Sequence, residues 1–119
     1  MIFNKLQKYR MSRFDQLFTF LESQPNEPFL LFAIAKEYEN QNDNYQALEY
    51  YQRLETTTPQ YVGLYYHLGK LYEKLGQPER ALETYKKGMI IAKQEKDMHA
   101  YNELAGAKMN ISDDDDDDY

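Results

Sequence analysis

Large apolar residues recur along this chain at helical spacing, and the same pattern then returns further on. Leu31, Ile34, Ala35 and Tyr38 stand at i, i+3, i+4 and i+7, one face of a helix. Tyr65, Leu68, Gly69 and Tyr72 repeat that arrangement after a shift of 34 residues. Behind each block comes another: Ala47, Leu48 and Tyr51, then Ala81, Leu82 and Tyr85 at the same shift. Each unit therefore reads as two helices, with small residues where their axes must approach closely. Between them the polar positions carry the turn signals. Gly76 suits a left-handed helix C-cap, and Pro78 suits the first turn of the helix that follows. Asn42 occupies the place equivalent to Gly76, and asparagine tolerates that conformation next best.

The register extends outward in both directions. Phe14 and Leu17 align with Leu48 and Tyr51, so residues 12–24 read as the second helix of a truncated unit, although Arg13 stands where a small residue is expected. Ser12 with Asp15 three residues on has the form of a helix-capping box. Downstream, Tyr101, Leu104 and Ala105 restart the first-helix pattern two residues late, with Lys108 in place of tyrosine. The pattern predicts six helices, over residues 12–24, 28–41, 45–57, 62–75, 78–94 and 97–111.

These motifs resemble the tetratricopeptide repeat, a helix–turn–helix unit of 34 residues with the pattern large-x₂-Leu-Gly/Ala-x₂-Tyr, then Ala-x₃-aromatic, then proline. Tyr65, Leu68, Gly69, Tyr72, Ala81 and Tyr85 match it, with Tyr65 replacing tryptophan and Lys93 replacing the final proline. The unit of Leu31, Ile34, Ala35, Tyr38, Ala47 and Tyr51 keeps the proline as Pro59. The resemblance implies an all-α fold, antiparallel helix pairs stacked as a short right-handed α-solenoid. Its parts would be a half repeat at 12–27, repeats at 28–61 and 62–97, and a terminal half repeat at 98–111.

Charge adds a second layer. The 119 residues hold 20 acidic and 14 basic side chains, a net charge of −6. Asp113 to Asp118 account for all of that excess, so the body is neutral. A neutral body argues against nucleic acid as the main ligand, since phosphate binding needs a surplus of basic side chains. No apolar run approaches the roughly 18 residues that suggest a membrane span. Cysteine is absent, which excludes disulfides and thiolate metal sites and fits a cytoplasmic setting. No nucleophile, base and orienting group assemble from Ser12, Ser23, Ser112, His67 and His99, so a non-catalytic protein without cofactor is expected.

In the family that these motifs resemble, first helices of successive repeats line a concave groove that holds a peptide or a partner segment. Carried over by register, the groove positions of the first unit are Phe29, Phe32, Ala33, Lys36, Glu39 and Asn40. Those of the second are Gly63, Tyr66, His67, Lys70, Glu73 and Lys74, and those of the third His99, Asn102, Glu103, Gly106, Met109 and Asn110. Phe29, Phe32, Lys36, Tyr66, His67, Lys70 and Lys74 form the candidate site, aromatic anchors beside lysines that suit an acidic peptide. Phe29 and Phe32 have a purely structural alternative, packing on the preceding helix through Leu17, Phe18 and Leu21. The carboxylate clamp of some family members is not present, because Phe32, Lys36, His67, His99 and Glu103 occupy its places.

The two ends differ in sign. Residues 1–11 form a basic extension, and 112–119 are expected to be a disordered acidic tail. Extended, that tail reaches roughly 26 Å at most, enough to enter the lysine-lined groove. Three functions follow as expectations. An adaptor or scaffold that binds a protein or peptide comes first. A self-assembling repeat protein whose end helices mediate homo-oligomerisation is the alternative, and an acidic shield for a basic partner is the third.

Overall fold

The computed structural model describes residues 12–111, and among these it contains six helices and no strand. They are α1 (Arg13–Ser23), α2 (Pro28–Asn40), α3 (Asn44–Thr57), α4 (Gly63–Lys74), α5 (Pro78–Gln94) and α6 (Met98–Ile111). Every bound lies within a single residue of the one the apolar pattern predicts. The basic extension and the acidic tail fall outside the described residues.

Local chemistry accounts for the ends of the helices. The Ser12 hydroxyl accepts from the Asp15 backbone N–H at 3.1 Å, Asp43 accepts from Gln46 N–H at 3.2 Å, and Asp97 accepts from Ala100 N–H at 3.0 Å. Proline opens α2 and α5, where the missing N–H costs nothing. Asn42 (φ 61°), Gly76 (φ 75°) and Lys96 (φ 61°) are left-handed. Each is followed by an N–H that bonds five residues back: Asp43 to Tyr38, Gln77 to Tyr72, and Asp97 to Ala92. Lys96 was not expected in this role. Its conformation follows from the same turn, formed there without a glycine or asparagine.

The helices pack in chain order, α1 on α2, α2 on α3, α3 on α4, α4 on α5 and α5 on α6, with α4 also touching α6. The pattern residues are the core. Leu31, Ile34, Ala35, Ala47, Tyr51, Tyr65, Leu68, Ala81 and Tyr85 are fully buried. The tyrosines at the two equivalent positions each close one polar bond within their unit. Tyr51 Oη donates to Glu39 Oε1 at 2.6 Å, and Tyr85 Oη donates to Glu73. Burial and the adjacent carboxylate together push both phenols far above their usual value of 10.0.

Two glycines mark the closest approaches. A Cβ on Gly69 would lie 2.2 Å from the Tyr85 ring, and one on Gly88 would lie 2.4 Å from Tyr65 Cβ and 3.0 Å from Leu104. Helix α5 thus touches both the first helix of its own unit and the first helix of the next.

Candidate functional site

The first helices α2, α4 and α6 share one face of the stack, and that face holds a cleft. Its volume is ≈ 230 Å³, and Phe32, Tyr61, Val62, Tyr66, His67, Ala100, Glu103 and Leu104 line it together with Gly63. Phe32 comes from α2, Tyr66 and His67 from α4, and Glu103 from α6. Phe32, Tyr66, His67 and Glu103, all groove positions by register, thus line one cleft.

Aromatic rings form the floor. Phe32 sits 5.5 Å from Tyr61 and 5.2 Å from the His67 ring, and His67 meets Tyr66 edge-on at 5.6 Å. Phe32 also tilts against Tyr51 at 6.1 Å. Its structural neighbours are thus residues of α3, α4 and the loop before α4, whereas α1 engages Tyr38 and Tyr50 through Phe14 and Phe18. Phe29, the other phenylalanine at issue, is 59% exposed and lies outside the cleft. Ala33, a groove position by register, is buried in the core.

The lining holds one imidazole, His67, and one carboxylate, Glu103. Lys36 Nζ donates to His67 Nδ1 at 3.2 Å. With Nδ1 accepting, the proton of the neutral ring sits on Nε2, which becomes a donor. Burial lowers the His67 pKa from 6.5, and the Lys36 charge lowers it further, while Glu39 and Glu103 pull the other way. The imidazole is therefore neutral at pH 7. The remaining N–H groups of Lys36 and the His67 Nε2–H can donate to a carbonyl or carboxylate beside a mostly aromatic and aliphatic cleft that also contains Glu103.

The remaining lysines are engaged by glutamates. Lys74 pairs with Glu39 at 3.8 Å, and Lys70 pairs with Glu73 at 3.9 Å while lying 5.6 Å over the Tyr66 ring. Those same glutamates accept from Tyr51 and Tyr85, so each carboxylate ties a core phenol to a surface lysine. Lys70 and Lys74 are thus partly neutralised by Glu73 and Glu39. Tyr61, Val62, Ala100 and Leu104 complete the cleft and were not among the expected groove residues. Tyr61 and Val62 precede α4 in the loop, where a helical period gives no signal.

No group of three or more metal-ligating side chains occurs among the described residues, and none of their helices is long and apolar enough to cross a membrane.

The tetratricopeptide repeat family model matches residues 30–61 and 62–94. Among solved structures, a tetratricopeptide repeat domain protein of Salinibacter ruber is similar in two forms. Its crystal structure shares 39% identity, covering 71% of this chain and 94% of that one, at a TM-score of 0.69. Its solution structure gives 36% identity, 80% and 96% coverage, and a TM-score of 0.73. A protein of Bordetella parapertussis, 20% identical over 85% of this chain and 88% of its own, has the same fold at a TM-score of 0.74. No curated protein gives a significant match.

Proposed function

Because this chain belongs to the tetratricopeptide repeat family, whose repeats generally mediate protein–protein interaction, we propose that it is a non-catalytic adaptor or scaffold that holds a partner polypeptide in the groove of α2, α4 and α6. The observation that carries this reading is the aromatic cleft with His67 in its lining, hydrogen-bonded to Lys36. An apolar or aromatic side chain of the partner enters between Phe32, Tyr61, Tyr66 and Leu104. A carboxylate or carbonyl next to it takes hydrogen bonds from Lys36 and from His67 Nε2. Lys70 and Lys74 add a weaker preference for acidic flanks, because Glu73 and Glu39 already offset part of their charge. Phe29 extends the contact as an exposed apolar residue one turn before Phe32. A cytoplasmic setting is part of the proposal, supported by a sequence free of cysteine.

The test is capture of partners by the intact protein and by a Tyr66→Ala, Lys36→Glu double variant, identified by mass spectrometry. Both side chains are partly exposed, so the variant keeps its fold, which helical circular dichroism verifies. Partners retained by the intact protein and lost by the variant are expected. Equal capture by both would move the binding surface off the groove.

A further inference from the structure

One wall of the cleft carries a carboxylate. Ala100, Glu103 and Leu104 stand at i, i+3 and i+4 on α6, and all three line the cleft. Leu104 is buried and Glu103 is exposed. Arg13, Lys70, Lys74 and Lys87 pair with Glu37, Glu73, Glu39 and Glu55, so each of these cations is taken by another glutamate. Lys36 and Lys70 reach lining residues, His67 at 3.2 Å and the Tyr66 ring at 5.6 Å, without lining the cleft themselves. The lining holds no lysine or arginine to meet Glu103. Its charge acts on His67, but that ring stays neutral at pH 7 and does not offset it.

The other walls are rings set at steep angles. Phe32 and Tyr61 are inclined at 44°, Phe32 and His67 at 70°, and Tyr66 and His67 at 86°. Rings at such angles bound a space instead of stacking flat, and the face of each carries the negative side of its quadrupole. Tyr66 already attracts a cation, since Lys70 Nζ lies over its ring. The rings of Phe32 and Tyr61 carry no such cation among the described residues. At ≈ 230 Å³ the cleft is smaller than the roughly 300 Å³ at which small-molecule sites begin, so it suits one side chain rather than a cofactor.

Charge complementarity selects that side chain. A purely apolar one would strip water from the Glu103 carboxylate and return no hydrogen bond. An acidic one would meet a like charge. Lysine would supply a positive charge, but neither a plane to lie on a ring nor a fork to match a carboxylate. Arginine supplies all three requirements: an apolar stem for Val62 and Leu104, a flat cation for a ring face, and paired N–H donors for Glu103.

We propose that the side chain entering this cleft is an arginine of the partner polypeptide, its guanidinium lying against the Phe32 and Tyr61 rings and hydrogen-bonded to Glu103. This rests on the reading of the groove as a partner site, and it gives the apolar anchor of that reading a charged head. Lys36 on α2 and Glu103 on α6 then act as opposite poles with His67 of α4 between them in the stack. The groove reads an acidic and a basic residue close together in the partner, the acid toward α2 and the base toward α6.

Three end-blocked peptides test this: Ala-Asp-Ala-Arg-Ala, and the same sequence with citrulline or norleucine in place of arginine. Each is titrated into the full chain up to millimolar concentration, and binding is followed at the backbone NMR signals of Phe32, Tyr66, His67 and Glu103. The arginine peptide is expected to bind about tenfold more tightly than either neutral one, a preference that weakens in high salt. Glu103→Gln should bring the ratio close to unity while leaving the norleucine peptide unaffected. Glu103 is exposed, so the variant keeps its fold, which circular dichroism verifies. Equal binding of the norleucine and arginine peptides would overturn the proposal. So would an arginine preference that survives Glu103→Gln, or an arginine peptide that moves none of the cleft signals. The wider groove reading is decided separately, by partner capture with the Tyr66→Ala, Lys36→Glu variant, so the two can fail independently.

Discussion

The two matched repeats, 30–61 and 62–94, are each a pair of helices and fill their interiors differently. In the second, Tyr65 on the first helix lies against Gly88 on the second, and Gly69 lies against Tyr85. In the first, the equivalent positions are Leu31, Leu54, Ala35 and Tyr51, all buried. The larger Tyr65 in place of Leu31 comes with the smaller Gly88 in place of Leu54, so residues that touch across the helix pair change together. Cores tolerate such exchanges when they are coupled and resist them singly. The comparison shows that the repeat fixes the packing sites, and that each unit solves its own packing problem within them.

Transplanting single residues between units would break that coupling. The largest effect is expected for Gly88→Leu, which installs the residue of the first unit where a Cβ alone lies 2.4 Å from Tyr65 Cβ. A loss of about 3 kcal/mol in denaturant unfolding is expected from overpacking. Adding Tyr65→Leu should recover most of it, and a double variant no better than the single would refute volume compensation. Gly69→Ala is next. The new methyl is 2.2 Å from the Tyr85 ring, and the cost should be about 2 kcal/mol although alanine is the better helix former. Its mirror image, Ala35→Gly, removes no clash and should cost about 1 kcal/mol from backbone freedom.

Where the units agree, equal effects are expected. Tyr51→Phe and Tyr85→Phe each deprive a glutamate of its phenolic donor, at about 1.5 kcal/mol. Thermal melts that separate the two variants widely would show that the paired bonds are not equivalent. The smallest effect belongs to a residue that only the second unit has. His67 is held neutral by burial and by Lys36, with its pKa below 6.5. As pH falls below 6.5 the unfolded chain takes up a proton that the folded chain resists, so stability is present above that pH and declines on acidification. His67→Gln should flatten this acid limb, and an unchanged slope would assign it to other groups. The first unit has Ala33 at the equivalent position and contributes nothing there.

The helices, their caps and the small close-approach residues were legible because each is a local matter of period 3.6 and turn chemistry. Gly76 and Asn42 took left-handed turns as their residue types indicate, and Ser12 capped α1. The residues of the cleft were legible in part. Phe32, Tyr66, His67 and Glu103 stand at repeated register positions and line it, yet Phe29 lies outside the lining and Ala33 is inside the core. Tyr61 and Val62 come from a loop, and Ala100 and Leu104 from a unit whose register slips by two residues. The loop has no period to read, and Leu104 was read as a pattern residue rather than a groove position. The lysines were visible, but their pairing with Glu39 and Glu73 was only partly so, since Lys74 reaches a glutamate of the preceding unit.

The sequence by itself determined that this protein is a stack of helix pairs, because hydrophobic burial acts on a repeating face and needs no knowledge of distant contacts. The stacking angle and spacing decided the rest. They set which side chains from three first helices converge on one cleft and which carboxylate of one repeat meets a lysine of the next. The cleft and the Lys74–Glu39 pair depend on distances between residues about 30 or more apart in the chain, and only the packed structure fixes them.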